Sequence, residues 1–105
     1  MYELNQIEVP ESFMALYARH GRPTAPRATV EQRYEMAEDL AAQMSQFCST
    51  LQFKDDLGET EVLRRCHAGL LAVPETVTPA EAAWVTARAA ELLEWAQPAF
   101  LRDAN

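Results

Sequence analysis

Glycine is scarce in this chain. There are three in 105 residues, and they stand far apart as Gly21, Gly58 and Gly69. Lysine is scarcer still, with Lys54 alone. A phosphate-binding loop needs clustered glycines, whose backbone donors surround the phosphates, and then a lysine. No nucleotide fingerprint is therefore present. No apolar run is long enough to span a membrane. The first ten residues are polar and acidic, without the apolar core of a secretory signal. The two cysteines, Cys48 and Cys66, are accordingly expected to be buried, reduced thiols, and the cytoplasm is the expected compartment. No CxxC, HxxxH or HExxH pairing occurs, and the adjacent Cys66 and His67 point about 100° apart on a helix, so neither a metal site nor a cofactor is expected. The acidic turn at 55–61 lacks the alternating oxygen ligands of a calcium loop.

What is present is an ordinary globular composition, 49% apolar and 24% charged, with a net charge of −7. One domain of this length buries a modest core. The acidic balance works against nucleic acid and anionic membrane surfaces, and neither is expected as a partner. The charge is uneven: Arg19, Arg22, Arg27 and Arg33 face Glu31 alone over residues 19–33.

The strongest pattern runs over 29–53. Val30, Tyr34, Ala37, Ala41, Met44, Cys48 and Leu51 alternate by four and three residues, which places them on one face of a long helix, with Glu31, Glu35, Glu38 and Asp39 opposite. Thr29 with Gln32 predicts a capping box at its start. Residues 30–53 would extend roughly 36 Å, so one end either projects or is covered by a second copy. Before it, Pro10 and Gly21 bracket a short helix at 10–20 with Val9, Phe13, Leu16, Tyr17 and His20 on one face. Residues 1–8 read as a loose arm and 21–28 as a proline- and arginine-containing linker. Thr60 predicts a third helix at 60–72 that buries Val62, Leu63, Cys66, Leu70 and Val73. Thr78-Pro79-Ala80-Glu81 is the clearest helix start, with capping threonine, proline at the first position and glutamate at the third. That fourth helix is expected to reach Gln97, with Ala82, Val85, Ala89, Leu92, Leu93 and Ala96 inward, and residues 98–105 to fray. No segment alternates with period two, so the expected fold is an all-α, compact four-helix bundle-like domain with no sheet.

No catalytic residue stands out. His67 with neighbouring Cys66 is the one pair from which an enzyme or small-ligand site would be built, and a histidine at the edge of an apolar face needs no such role. The third and fourth helices are consecutive, but the fourth offers Arg88 against Glu81, Glu91 and Glu94, which opposes DNA binding. Two candidate surfaces remain. In the linker, Arg22 and Arg27 bracket Pro23 and Pro26, a PxxP segment that either serves as an extended ligand or settles on the chain's own acidic helix. On the fourth helix, Trp84, Arg88 and Trp95 share a strip with the composition of an interaction hot spot; the alternative is that the first helix covers the tryptophans.

Ile7-Glu8-Val9-Pro10 with Ser12-Phe13 and Ala15-Leu16, Glu38-Asp39-Leu40-Ala41, and Ala90-Glu91-Leu92-Leu93 with Trp95 resemble a small uncharacterised helical family of β-proteobacteria. Its members sometimes carry the label "ATPase with chaperone activity". The resemblance implies a helical fold and a chaperone-like role; the residues here offer no ATP-binding motif. Residues and resemblance together lead to the expectation of a protein–protein interaction, adaptor or chaperone-like module that binds another protein and forms a homodimer.

Overall fold

The computed structural model describes residues 7–103. The chain opens with α1 (Glu11–Met14), which tightens into a 3-10 turn over Ala15–Tyr17. Strands β1 (Ala18–Arg19) and β2 (Arg22–Pro23) follow, then α2 (Arg27–Asp55), α3 (Glu59–Leu71), α4 (Pro79–Leu93) and α5 (Ala99–Asp103). Three chain directions make the body. The turn at 56–58 reverses α3 onto the C-terminal half of α2, where Cys48 meets Cys66. A second reversal returns α4 alongside the N-terminal half of α2, pairing Glu81 with Arg33 and Arg88 with Glu38. The 29 residues of α2 would measure about 43 Å, which accounts for the longest molecular dimension of 48 Å.

The α2 stripe behaves as its spacing dictates: Val30, Ala37, Ala41, Met44 and Cys48 are buried, and Tyr34 and Leu51 half-buried. They pack with Phe13, Val62, Leu63, Val85, Ala89 and Ala90 in one core. Alanine on both α2 and α4 lets these two helices approach closely along their shared half.

The expectation of a fold without sheet is corrected by a short antiparallel ladder that pairs Ala18 with Pro23 and Arg19 with Arg22. Its cause is the two-residue loop His20-Gly21, with φ of 54° and 78°. Positive φ at both central residues is the hairpin turn whose twist matches paired strands, and histidine tolerates that region better than most residues. The hairpin ends the first helix early and occupies part of the expected linker, and α2 starts at Arg27 rather than Thr29. Pro26 stands at its N-cap without a side-chain cap, so the Thr29/Gln32 box does not form. Gly58, not Thr60, precedes α3. The Thr78 box on α4 does form: the Glu81 amide donates to Thr78 Oγ1 at 3.1 Å and the Thr78 amide to Glu81 Oε1 at 3.0 Å.

The end of α4 also differs. Glu94 takes the left-handed conformation at φ 61°, and the Trp95 amide closes back on the Ala90 carbonyl at 2.9 Å. A left-handed residue after the last turn satisfies orphan carbonyls whichever side chain it carries, though glycine takes it at least cost. The helix therefore stops four residues before Gln97, and Leu92 is 41% exposed rather than inward. Beyond it, residues expected to fray form α5, whose Phe100 ring lies 5.5 Å from that of His67, with the Arg64 guanidinium 4.7 Å above it. Most of the expected loose arm, residues 1–6, lies outside the described residues, as do 104–105.

Candidate functional site

Helical spacing carries a signal easily passed over in a list of charges. Glu81 precedes Val85 by four residues and Ala89 by eight; Arg33 follows Val30 by three and precedes Ala37 by four. Each charge thus lies on the apolar stripe of its helix. The two meet. Glu81 is fully buried, and Arg33 Nε donates to its Oε2 at 2.8 Å while Arg33 Nη2 donates to Oε1 and, at 2.9 Å, to the Thr76 carbonyl. The Tyr17 hydroxyl donates to the same carboxylate from the 3-10 turn. Burial alone would push the Glu81 carboxyl up, but donors from Arg33, Tyr17 and Thr78 outweigh it and hold the pKa below the usual value. The same carboxylate raises Arg33, and burial followed by Glu81 raises Tyr17. Glu81 has its proton acceptors saturated by its neighbours, which is the arrangement of a structural tie between α1, α2 and α4.

The tryptophan strip lies beside this tie. Trp84 is half-buried, with Phe13 edge-on at 5.1 Å and Tyr34 at 5.9 Å, and its indole N–H donates to Ser12 Oγ at 2.9 Å. Arg88 is engaged: Nη2 and Nε donate to the Glu38 carboxylate at 3.0–3.2 Å, and Nη1 to Glu91 at 3.0 Å. Trp95 is also half-buried against the core. A depression of about 450 Å³ borders Trp84 and Arg88, but both lend their polar groups to the protein itself. Of the basic segment, Arg22 and Pro23 form β2, Pro26 caps α2, and Arg27 donates to Glu31 at 2.9 Å and to the Ile7 carbonyl at 3.0 Å. An acidic α2 neighbour thus takes up Arg27.

Cys66 and His67 diverge as their spacing requires. His67 is buried beneath Phe100, and burial lowers its pKa. Cys66 turns to α2, where its sulfur lies 3.2 Å from that of Cys48. Cys48 is fully buried; the contact with Cys66 and then burial push its thiol up, and the same contact brings Cys66 down.

The second open surface, missed by the sequence reading, is a groove of about 310 Å³ between α2 and α3. Leu40, Gln43, Met44 and Phe47 form one wall, and Arg65, Cys66, Gly69 and Leu70 the other. Phe47 is 59% exposed, although its ring is as apolar as any in the core. Gly69 leaves its wall without a side chain, and a methyl group placed there would meet nothing within 4 Å. The signal in the sequence was a second stripe on α2: Met36, Leu40, Gln43, Phe47, Thr50 and Lys54 repeat by four and three residues beside the core stripe.

Among the described residues, no helix is long and apolar enough to cross a membrane. Comparison with protein-family models, with curated proteins and with solved structures found no match to this chain.

Proposed function

We propose that this protein works by binding another protein surface through the α2–α3 groove, and that the surface it takes first is the same groove of a second copy. The carrying observation is Phe47, a large apolar ring 59% exposed at the edge of a groove walled by Leu40, Met44 and Leu70. Burying such a ring in a partner releases apolar area from water at roughly 25 cal/mol per Å². Charge sets the orientation. Glu35 and Asp39 lie near one end of the stripe and Lys54 at the other. An antiparallel pairing of two α2 helices brings Lys54 of each copy to Glu35 and Asp39 of the other, whereas a parallel pairing stacks like charges. Adaptor and chaperone-like roles, including the one implied by the family resemblance, have the same requirement for an open apolar groove, and a reducing cytoplasm suits its thiols. In the Trp84/Arg88/Trp95 strip, Trp84 and Arg88 lend their polar groups to the chain itself. In the segment with Arg22, Pro23, Pro26 and Arg27, the last is taken up by Glu31 and the Ile7 carbonyl, whereas Phe47 is an open apolar ring, which favours the groove.

Sedimentation equilibrium over a micromolar series tests the pairing. The wild-type chain is expected to approach the dimer mass with rising concentration. Phe47→Asp is expected to weaken association by about 2 kcal/mol or more, roughly thirtyfold in Kd, as removal of a central anchor does. A wild-type chain that stays monomeric throughout overturns the proposal.

Gly69→Ala separates folding from binding. Alanine in a helix interior is favoured over glycine by roughly 0.5–1 kcal/mol, and the added methyl meets no atom of the monomer. The expected outcome is a higher urea midpoint together with weaker self-association, since the methyl fills part of the groove. Unchanged association would show that Gly69 does not face the occupant.

A further inference from the structure

The groove that holds Phe47 also opens onto sulfur. Cys66 is half-buried in its wall, and Cys48, fully buried, lies directly behind at 3.2 Å. The pair joins the C-terminal half of α2 to the middle of α3 across eighteen positions of sequence. Two thiols on neighbouring rigid helices, one reachable and one sheltered, have the arrangement of an attacking and a resolving cysteine. Their sulfurs need to close by roughly 1 Å to reach the bonded separation of about 2.05 Å. Among the described residues, no third His, Cys, Asp or Glu joins them in a cluster able to hold a metal ion. Arg65, on the same wall, is paired with Glu61 at 3.0 Å, so its charge is already balanced within α3.

We infer that Cys48 and Cys66 form a reversible dithiol–disulfide site whose co-substrate is a small-molecule disulfide entering by the α2–α3 groove. The Cys66 thiolate attacks one sulfur of the disulfide RS–SR. A Cys66–SR bond forms, the S–S bond of the reagent breaks, and RS⁻ leaves. Cys48 then attacks the Cys66 sulfur, and its proton passes to the departing sulfur. The Cys48–Cys66 bond forms, the Cys66–SR bond breaks, and the second RSH leaves. The first RS⁻ takes a proton from water. The protein has lost two electrons and two protons, and one RS–SR has become two RSH. Excess RSH reverses the sequence. This site stands apart from the docking proposal, because it requires only that the groove be open in the monomer.

Glutathione disulfide is the probe, applied to the native, reduced, full-length protein at dilution and followed by intact mass and by non-reducing peptide mapping. Wild type is expected to lose the mass of two hydrogens, to yield one cross-linked peptide containing Cys48 and Cys66, and to return to the dithiol with excess reduced glutathione. Cys48→Ser is expected to accumulate a single glutathione adduct on Cys66, because nothing resolves it. Cys66→Ser is expected to react at Cys48 at least about tenfold more slowly, since burial withholds that thiol. The wild-type measurement needs no variant and stands even where a serine disturbs the core. Two thiols that persist in glutathione disulfide, a wild-type adduct that never resolves into the internal bond, or equal reaction of the two variants would each overturn the inference.

Discussion

Arg33→Ala is expected to destabilise the fold by about 3 kcal/mol, the lower end of the cost of removing one partner from a buried ion pair. The variant leaves Glu81, with 1% of its side chain exposed, facing a site where the guanidinium had supplied two of its hydrogen-bond donors. The lower end applies because Arg33 itself is 30% exposed, so water enters behind the truncated side chain. A domain of this size has roughly 5–15 kcal/mol in all, and urea denaturation measures the loss directly. The pH dependence distinguishes this cause from lost packing. In the wild type the Glu81 pKa lies below its unfolded value, so its contribution is complete above about pH 4.3 and is lost as pH falls through the folded value. With Arg33 gone, fewer donors oppose burial and the folded pKa rises from its wild-type position. The variant's deficit is therefore expected to be greatest near neutrality and to shrink as pH falls toward 4. A deficit independent of pH would assign the effect to packing alone. Glu81→Gln added to Arg33→Ala is expected to recover part of the loss at neutral pH, because no charge is then left buried.

Phe13→Ala is expected to cost about 3–5 kcal/mol, the range for truncating a buried aromatic ring. Phe13 is fully buried, and its ring meets Tyr17 at 5.9 Å, Tyr34 at 5.6 Å and Trp84 at 5.1 Å. It holds more than its own contacts. A four-residue helix has no stability of its own in water, so α1 is held to α4 by this ring and by the Ser12–Trp84 hydrogen bond. Its loss is therefore expected to release residues 7–23 in hydrogen exchange and to shift Trp84 emission to longer wavelength. Tyr17 reaches Glu81 from the same segment, so Phe13→Ala and Arg33→Ala are expected to be less than additive, because each weakens the other's surroundings. Additive losses, with residues 7–23 still protected, would show that the hairpin holds this segment without Phe13.

The legible parts of the fold were those governed by periodicity and capping. The core face of α2 followed from its 3-4 spacing, and the α4 start from Thr78 and Glu81. The hairpin was hidden because two-residue strands are too short to alternate, leaving only His20-Gly21 as a signal. The end of α4 was hidden because Glu94 adopts a conformation whose usual mark is glycine. Glu81 was read for its capping role alone; its place on the apolar stripe, matched by Arg33 on α2, was a second message in the same residue. The groove was obscured for a related reason. Phe47 stands at the edge of the broad apolar face of α2, and α3 covers the Cys48 side of that helix and leaves Phe47 at the rim. Which flank of a broad apolar face a neighbour covers depends on the crossing of two helices, and neither helix carries that information alone.

The central claim, that the α2–α3 groove is the surface through which this protein associates, is tested most directly by amide and indole NMR shifts of the wild-type chain as its concentration is raised. The account predicts that shifts move together along the exposed α2 stripe from Met36 to Lys54 and along the Arg65-to-Leu70 wall of α3, while the Trp84 and Trp95 indole signals hold still. Shifts that concentrate on the two indoles, or a spectrum that does not change with concentration, would contradict it.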